Sequence, residues 1–129
     1  MQTSWLYATR AYARAERGNL KEAAADAAKA LRLSPSWERM QLLRLEWLRD
    51  WGQSLQKAQE FLKAEEVYSE LVAANEKEAS SWAARGLARF GQEKWSEALA
   101  DFEVAVRLNA AFREHLKAAM EQCRQELEK

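Results

Sequence analysis

Apolar side chains return along this chain at every third or fourth position with charges between them, an interval that belongs to amphipathic helices. Residues 18–35, GNLKEAAADAAKALRLSP, put Ala23, Ala27 and Ala30 on one face. Over residues 36–58, Trp37, Met40, Leu43, Trp47, Leu48, Trp51 and Leu55 form a broad stripe. Glu38, Arg39, Glu46, Arg49, Asp50, Gln53 and Lys57 fill the opposite side, and only Leu42 and Leu45 depart from the pattern. Phe112, Leu116, Ala119, Met120, Cys123 and Leu127 repeat the spacing near the end. The one proline, Pro35, follows a helical stretch, where its missing N–H is tolerated. The pattern predicts an all-α protein, with one long helix starting after a Ser34 or Ser36 cap and running to about residue 58.

The helical segments are also copies of one another. Leu48, Gly52, Ala64, Tyr68 and Leu71 each stand the same interval, 34 in sequence number, before Trp82, Gly86, Ala98, Phe102 and Ala105. The second set reads W-x3-G-x11-A-x3-F-x2-A: small residues let two helices approach, and an aromatic fills the space beside the contact. Ala11, Ala23 and Ala27 precede Gly52, Ala64 and Tyr68 by a longer interval, 41 in sequence number, which is the period plus seven. Seven residues are two helical turns, lengthening a helix by about 10 Å and rotating its faces by about 20°. The inserted residues 38–44 therefore keep the stripe in phase.

A period of 34 with small and aromatic residues at these places resembles the tetratricopeptide repeat, a helix-turn-helix unit. Gly18 in a turn, Ala23, Ala27 and Ala30 at helix contacts and Pro35 after the helix resemble the second half of such a repeat, and YATRA, residues 7–11, resembles a Tyr-x-x-Arg-Ala opening. The resemblance implies a right-handed α-α superhelix, a solenoid of three repeats (4–37, 45–78 and 79–112) in a single domain over residues 1–129. Residues 38–44 would extend the first helix of the second repeat by about two turns, and residues 113–128 would form a C-terminal capping helix, covering the apolar face that a last repeat exposes. Two departures carry expectations. Ala110 stands where the family often has proline, so the sixth helix is expected to break softly into the cap. Arg10 and Arg14 occupy places that are often apolar, and are expected to face water at the N-terminal end of the array.

Composition narrows the function. With 48% apolar and 31% charged residues the chain reads as folded, and 20 basic residues against 20 acidic ones remove the simplest basis for binding nucleic acid or an anionic membrane. No window approaches 18 uninterrupted apolar residues and no signal peptide is read, so a cytoplasmic location is expected. A single cysteine, Cys123, forms no internal disulfide and no cysteine-based zinc site, and its place on the stripe reads as a small buried hydrophobe. The single histidine, His115, has no orienting partner, and no HExxH, CxxC or phosphate-binding turn is present. No enzyme activity, metal or cofactor is expected.

Binding is the stronger expectation: a protein or peptide partner, laid as a peptide or helical segment in the concave groove that the first helices of such repeats line. Carried over by spacing, Trp5 and Tyr12 line it from repeat one, Arg49 and Gln53 from repeat two, and Leu87 and Phe90 from repeat three. Trp5, Tyr12 and Phe90 are the expected anchors, since aromatics give large contact at low entropic cost. Chaperone-associated relatives clamp carboxylates on this surface. Thr9 stands where one clamp asparagine would be, and Glu46 and Asp50 where basic residues would be, so no carboxylate clamp is expected. The repeat does not account for Trp37, Met40 and Leu43. They either fold over the first repeat or form a second interaction surface, for a partner or for self-association; the alternative function is a homo-oligomer assembled through the extended helix 36–58 and the capping helix.

Overall fold

The computed structural model describes residues 2–129, and seven α-helices with no strand are found among them. They are α1 (Gln2–Glu16), α2 (Leu20–Leu33), α3 (Glu38–Lys57), α4 (Phe61–Ala74), α5 (Ala79–Gly91), α6 (Trp95–Leu108) and α7 (Phe112–Leu127). The helices α2, α4 and α6 start at Leu20, Phe61 and Trp95 and end at Leu33, Ala74 and Leu108, which are the two intervals read from the sequence, the longer one first. The helix α3 is 20 residues long and α5 is 13, both ending at matching positions, so the extra two turns lie at the start of α3.

The turns carry the same register in the backbone. Gly18, Gln59 and Glu93 take positive φ values of 81°, 60° and 62°. Behind each, the next N–H reaches back over the turn: Asn19 to the Arg14 carbonyl at 2.8 Å, Glu60 to Leu55 and Lys94 to Arg89 at 2.9 Å. A left-handed residue followed by such a bond is how a helix end satisfies its last carbonyls. The break between α6 and α7 is sharp rather than soft, without proline. The Asn109 side-chain oxygen accepts the Ala111 N–H at 3.0 Å, as the Asn75 oxygen accepts the Lys77 N–H at 3.1 Å, an asparagine turn that halts the helix.

The chain forms two compact units, Met1–Trp51 and Gly52–Lys129, with the boundary inside α3. In the first unit α1 packs on α2, with Ala8, Ala11, Ala23, Ala27 and Ala30 buried between charged outer faces. The extension of α3 joins this unit's buried set: Met40 is fully buried and Leu43 nearly so. Of the three candidates for a second interaction surface, only Trp37 reaches solvent, half-buried. Leu42, one of the two residues that break the stripe, is the exposed one on this extension. Ser34 does not cap α3: it ends α2, four residues before α3 begins, and its hydroxyl donates to that of Ser4 at 3.0 Å.

In the second unit α5 packs between α4 and α6, and α7 packs on α6. Glycine lets aromatic rings lie against backbone: a Cβ on Gly52 would come 2.9 Å from the Tyr68 ring, and one on Gly86 2.6 Å from Phe102. In the first unit the corresponding residues are Ala11 and Ala27, both fully buried. Small with small and glycine with aromatic are two ways of filling the same space.

Arg10 and Arg14 keep 48% and 34% of their side chains in water, as expected, and they also pair with a buried acid. The Nε and Nη2 atoms of Arg10 donate to the two oxygens of Asp26 at 2.9 and 2.8 Å, and Arg14 adds a third bond at 2.9 Å. Asp26 is fully buried. Burial alone would raise its pKa, but the hydrogen bond from Arg10 and the charges of Arg10, Arg14 and Lys29 outweigh it and hold the carboxyl below its ordinary value. The second unit repeats the arrangement at the corresponding positions: Arg85 Nε and Nη2 grip Asp101 at 3.0 and 2.9 Å, and Arg89 adds a bond at 3.0 Å. Even the ring beside the fork recurs, with Arg10 over Tyr7 and Arg85 over Trp82. The matching positions of the middle repeat hold Trp51, Leu55 and Val67, an exchange of all three charges for apolar groups.

Arg89 also binds Glu65 at 2.9 Å, and Gln92 and Lys94 donate to the same carboxylate at 2.8 and 3.0 Å. Burial works to raise the Glu65 pKa, yet these three donors and the Lys94 charge hold it at about 2. A carboxylate depressed in the folded state stabilises fully above its unfolded value of 4.5 and loses that contribution as pH falls toward 2. Thermal denaturation of the wild type and Glu65→Gln should therefore differ most near neutral pH and converge through this window. A gap unchanged by acid would contradict the paired carboxylate.

On α7, Lys117, Met120 and Arg124 take the places that Ala83, Gly86 and Phe90 hold on α5, where those residues face α6. They line an open trough of about 680 Å³ with Arg113, Glu121 and the α6 residues Glu103 and Arg107. Charge there suits contact with water, whereas the buried side of α7, Leu116, Met120 and Cys123, joins Phe102 and Ala105 in one core.

Candidate interaction surface

The residues expected to line a binding surface lie on α1, α3 and α5. On α1, Trp5 is 65% exposed and Tyr12 41% exposed. Tyr12 stands edge-on to Trp47, ring centroids 5.9 Å apart at 88°, so its ring is oriented while its outer edge stays open. On α3, Arg49 is half-buried and Gln53 is exposed; on α5, Leu87 is 41% exposed. Beside Leu87, Gln56 reaches from α3 to the Ala84 carbonyl at 3.5 Å. Phe90 is not a free anchor. Its ring meets Trp95 edge-on at 5.1 Å and Phe102 at 6.4 Å, so most of its face is spent inside the second unit.

The structure also joins two residues that the sequence assigned to different surfaces. Trp5 and Trp37 lie 6.4 Å apart, tilted by 37°, over a cavity of about 450 Å³ in the first unit. Leu33, Pro35 and the Ser4, Ser34 and Ser36 side chains complete its walls. Trp37 stands in the turn between α2 and α3, where its backbone N–H donates to the Ser34 carbonyl at 3.2 Å.

Chemistry of the catalytic kind has little to work with. His115 is exposed and meets only the edge of Phe112. Cys123 is buried, and burial pushes its thiol pKa up, away from the reactive thiolate. Among the described residues no three His, Cys, Asp or Glu side chains converge as a metal would require, and no helix is long and apolar enough to cross a membrane.

No protein-family model matches the sequence, and no curated protein matches it. Solved structures do. The first tetratricopeptide-repeat domain of Spaghetti (RPAP3), bound to the HSP90 peptide SRMEEVD, aligns with 99% of this chain and 95% of its own at 21% identity and a TM-score of 0.57. The Sgt2 domain from Aspergillus fumigatus aligns over 99% and 81% of the two chains at 18% identity and 0.59, and the Arabidopsis OM64 domain over 97% of each at 20% and 0.54. The chain has the tetratricopeptide-repeat fold. At such identities the likeness reaches the helices and their order.

The tetratricopeptide-repeat pattern hid one set of residues. Asp26 and Asp101 sit among alanines on helix faces that otherwise bury, each twelve residues after an arginine and sixteen after another. The signal R-x3-R-x11-D occurs twice, beginning at Arg10 and again at Arg85. Buried acids at matched positions of a repeat call for a partner, and a pair of arginines precedes each at the same two offsets.

Proposed function

We propose that this chain is a non-catalytic protein-interaction module that holds a peptide or helical segment of a partner against the first helices of its repeats. The supporting observation is a contrast in how side chains are used. The forked arginines, their two buried aspartates and most aromatics are consumed inside each unit, while Trp5 and Tyr12 on α1 and Leu87 on α5 keep large apolar surface in water on the helices where such folds receive ligands. The solved domain of RPAP3 holds an acidic chaperone peptide. This chain is not built for that ligand: the Thr9 hydroxyl turns back to the Trp5 carbonyl at 2.8 Å, and Glu46 and Asp50 are exposed acids.

Affinity capture from native lysate with mass spectrometry tests the reading. Tyr12→Ala and Leu87→Glu should each deplete the captured partner by tenfold or more while leaving the helical content unchanged; undiminished capture by both would refute it. Self-assembly through α3 has less support, because Met40 and Leu43 are buried. Light scattering at high concentration should return the mass of one chain.

A further inference from the structure

Placing the R-x3-R-x11-D motif that begins at Arg10 on the one that begins at Arg85 makes the second unit a template for the first. The forks agree atom by atom: Arg14 Nη1 bonds Asp26 at 2.9 Å as Arg89 Nη1 bonds Asp101 at 3.0 Å. They part at the next nitrogen. Arg89 Nε donates to Glu65 on α4 at 2.9 Å, and Gln92 donates to the same carboxylate at 2.8 Å. Among the described residues Arg14 Nε meets no acceptor, and neither does the guanidinium of Arg17, which stands at the place of Gln92. The rest of that face is bare in the same way. On α5, Ala88 is fully buried and Ser81 nearly so, whereas their counterparts on α1, Ala13 and Leu6, are exposed, Leu6 by 71%.

What covers this face in the second unit is α4, and its contacts run antiparallel along α5. A Cβ on Gly91 would lie 2.5 Å from the Phe61 ring, Glu65 takes Arg89, and Ser69 lies 3.5 Å from Arg85 Nη1. The following turn of such a helix reaches toward Ser81. On α1, Glu16 replaces Gly91 and Leu6 replaces Ser81, so a helix fitting there differs from α4 at its two ends. A long cation in place of the Phe61 ring clears the Glu16 Cβ and meets its carboxylate. A glutamate one turn on falls between Arg14 and Arg17, where three arginines with Arg10 leave positive charge in excess of Glu16 and Asp26. We propose that the Leu6–Ala13–Arg17 face of α1 docks an amphipathic helix of a partner protein, antiparallel to α1, that carries a basic residue, a glutamate one turn after it and an apolar residue two turns after the glutamate, over Leu6. A second copy of the chain is a poor occupant. Lys117 and Glu121 on α7 supply the first two groups, but Glu128 and Lys129 stand two turns on. Leu6, Ala13 and Arg17 lie about 100° round α1 from Trp5 and Tyr12, so this surface is separate from the groove proposed above and does not depend on it.

The probes are two blocked, alanine-based peptides of about 20 residues, long enough to hold a helix in water. Both carry the lysine and the leucine at these places; one has glutamate between them, one turn after the lysine, and the other has glutamine there. Each is labelled with fluorescein and titrated with the full chain up to about 1 mM, read by anisotropy. The glutamate peptide should bind within that range, and the glutamine peptide about tenfold more weakly. Arg17→Gln changes an exposed residue with no internal partner and spares the fold. It should weaken the glutamate peptide about tenfold and leave the glutamine peptide unchanged, a coupling that a general loss of affinity does not produce. Leu6→Ala should weaken both peptides, while Tyr12→Ala and Leu87→Glu should weaken neither, which keeps this test apart from that of the groove. A glutamate peptide that stays unbound at the highest concentration, equal binding of the two peptides, or binding lost in the groove variants overturns the proposal. So does a chain that pairs with itself and returns to the mass of one chain in Arg17→Gln, because a second copy would then be the occupant.

Discussion

Phe102→Ala is expected to lower the unfolding free energy by about 4 kcal/mol, seen as a fall in the urea midpoint at an unchanged slope. The ring is fully buried and shares a core with Ala83, Ala98, Ala105, Leu116, Met120 and Cys123. Most of these neighbours are too short to move into the space it would leave. Gly86→Ala attacks the same contact from the other side. Its new Cβ would meet the Phe102 ring at 2.6 Å, and a ring held between Phe90 and the α6 alanines has nowhere to go, so the cost is about 2 kcal/mol. The double variant Gly86→Ala/Phe102→Ala recreates the alanine pair of Ala11 and Ala27 and should be more stable than the sum of the single losses predicts, by about 1 kcal/mol or more. Simple additivity would show that glycine and ring are not compensating for one another.

The second large effect falls on Asp101. Its removal by Asp101→Ala leaves two arginines whose side chains are only 15% and 18% exposed, and the expected loss is about 3 kcal/mol. Arg89 keeps Glu65, which limits the damage. At the matching site, Asp26→Ala should cost visibly less, because Arg10 and Arg14 are 48% and 34% exposed and can turn to water. Equal losses at the two aspartates, measured by the same urea titration, would show that access of the arginines to solvent is not what sets the cost. The sequence also contains a repair: the triple exchange Arg10→Trp, Arg14→Leu and Asp26→Val installs the residues Trp51, Leu55 and Val67 of the middle repeat and should recover most of what Asp26→Ala loses.

These residues also mark the limits of reading the chain without coordinates. Helix number and order follow from apolar spacing and the 34-residue period of the repeat, since both report which faces must be dry. The pairing of Arg10 and Arg14 escapes such a reading because charge by itself points only to water, while the partner, Asp26, stands on a different helix. Phe90 escapes it because position on a helix says which way a side chain points and not what arrives from elsewhere to cover it; Trp95 arrives. Trp5 and Trp37 fall on different surfaces for a related reason. They are far apart in sequence, and their meeting depends on the turn after α2, where the Trp37 backbone N–H bonds the Ser34 carbonyl. Ala110 stands where a proline would end the helix, and the side chain of Asn109 before it serves instead.

The extra turns of α3 make length a discrete variable at this point of the chain. Each added residue swings everything before it by about 100°, so an indel of five would turn Met40 and Leu43 by about 140°, out of the buried set, while seven leaves a remainder of about 20°. Viable natural variants of this helix should therefore differ in steps of about seven or eleven, or less comfortably of about four, and a graded series of lengths should not exist. Met40 and Leu43 would then enter or leave the buried set together, by a single insertion or deletion, without passing through half-formed versions.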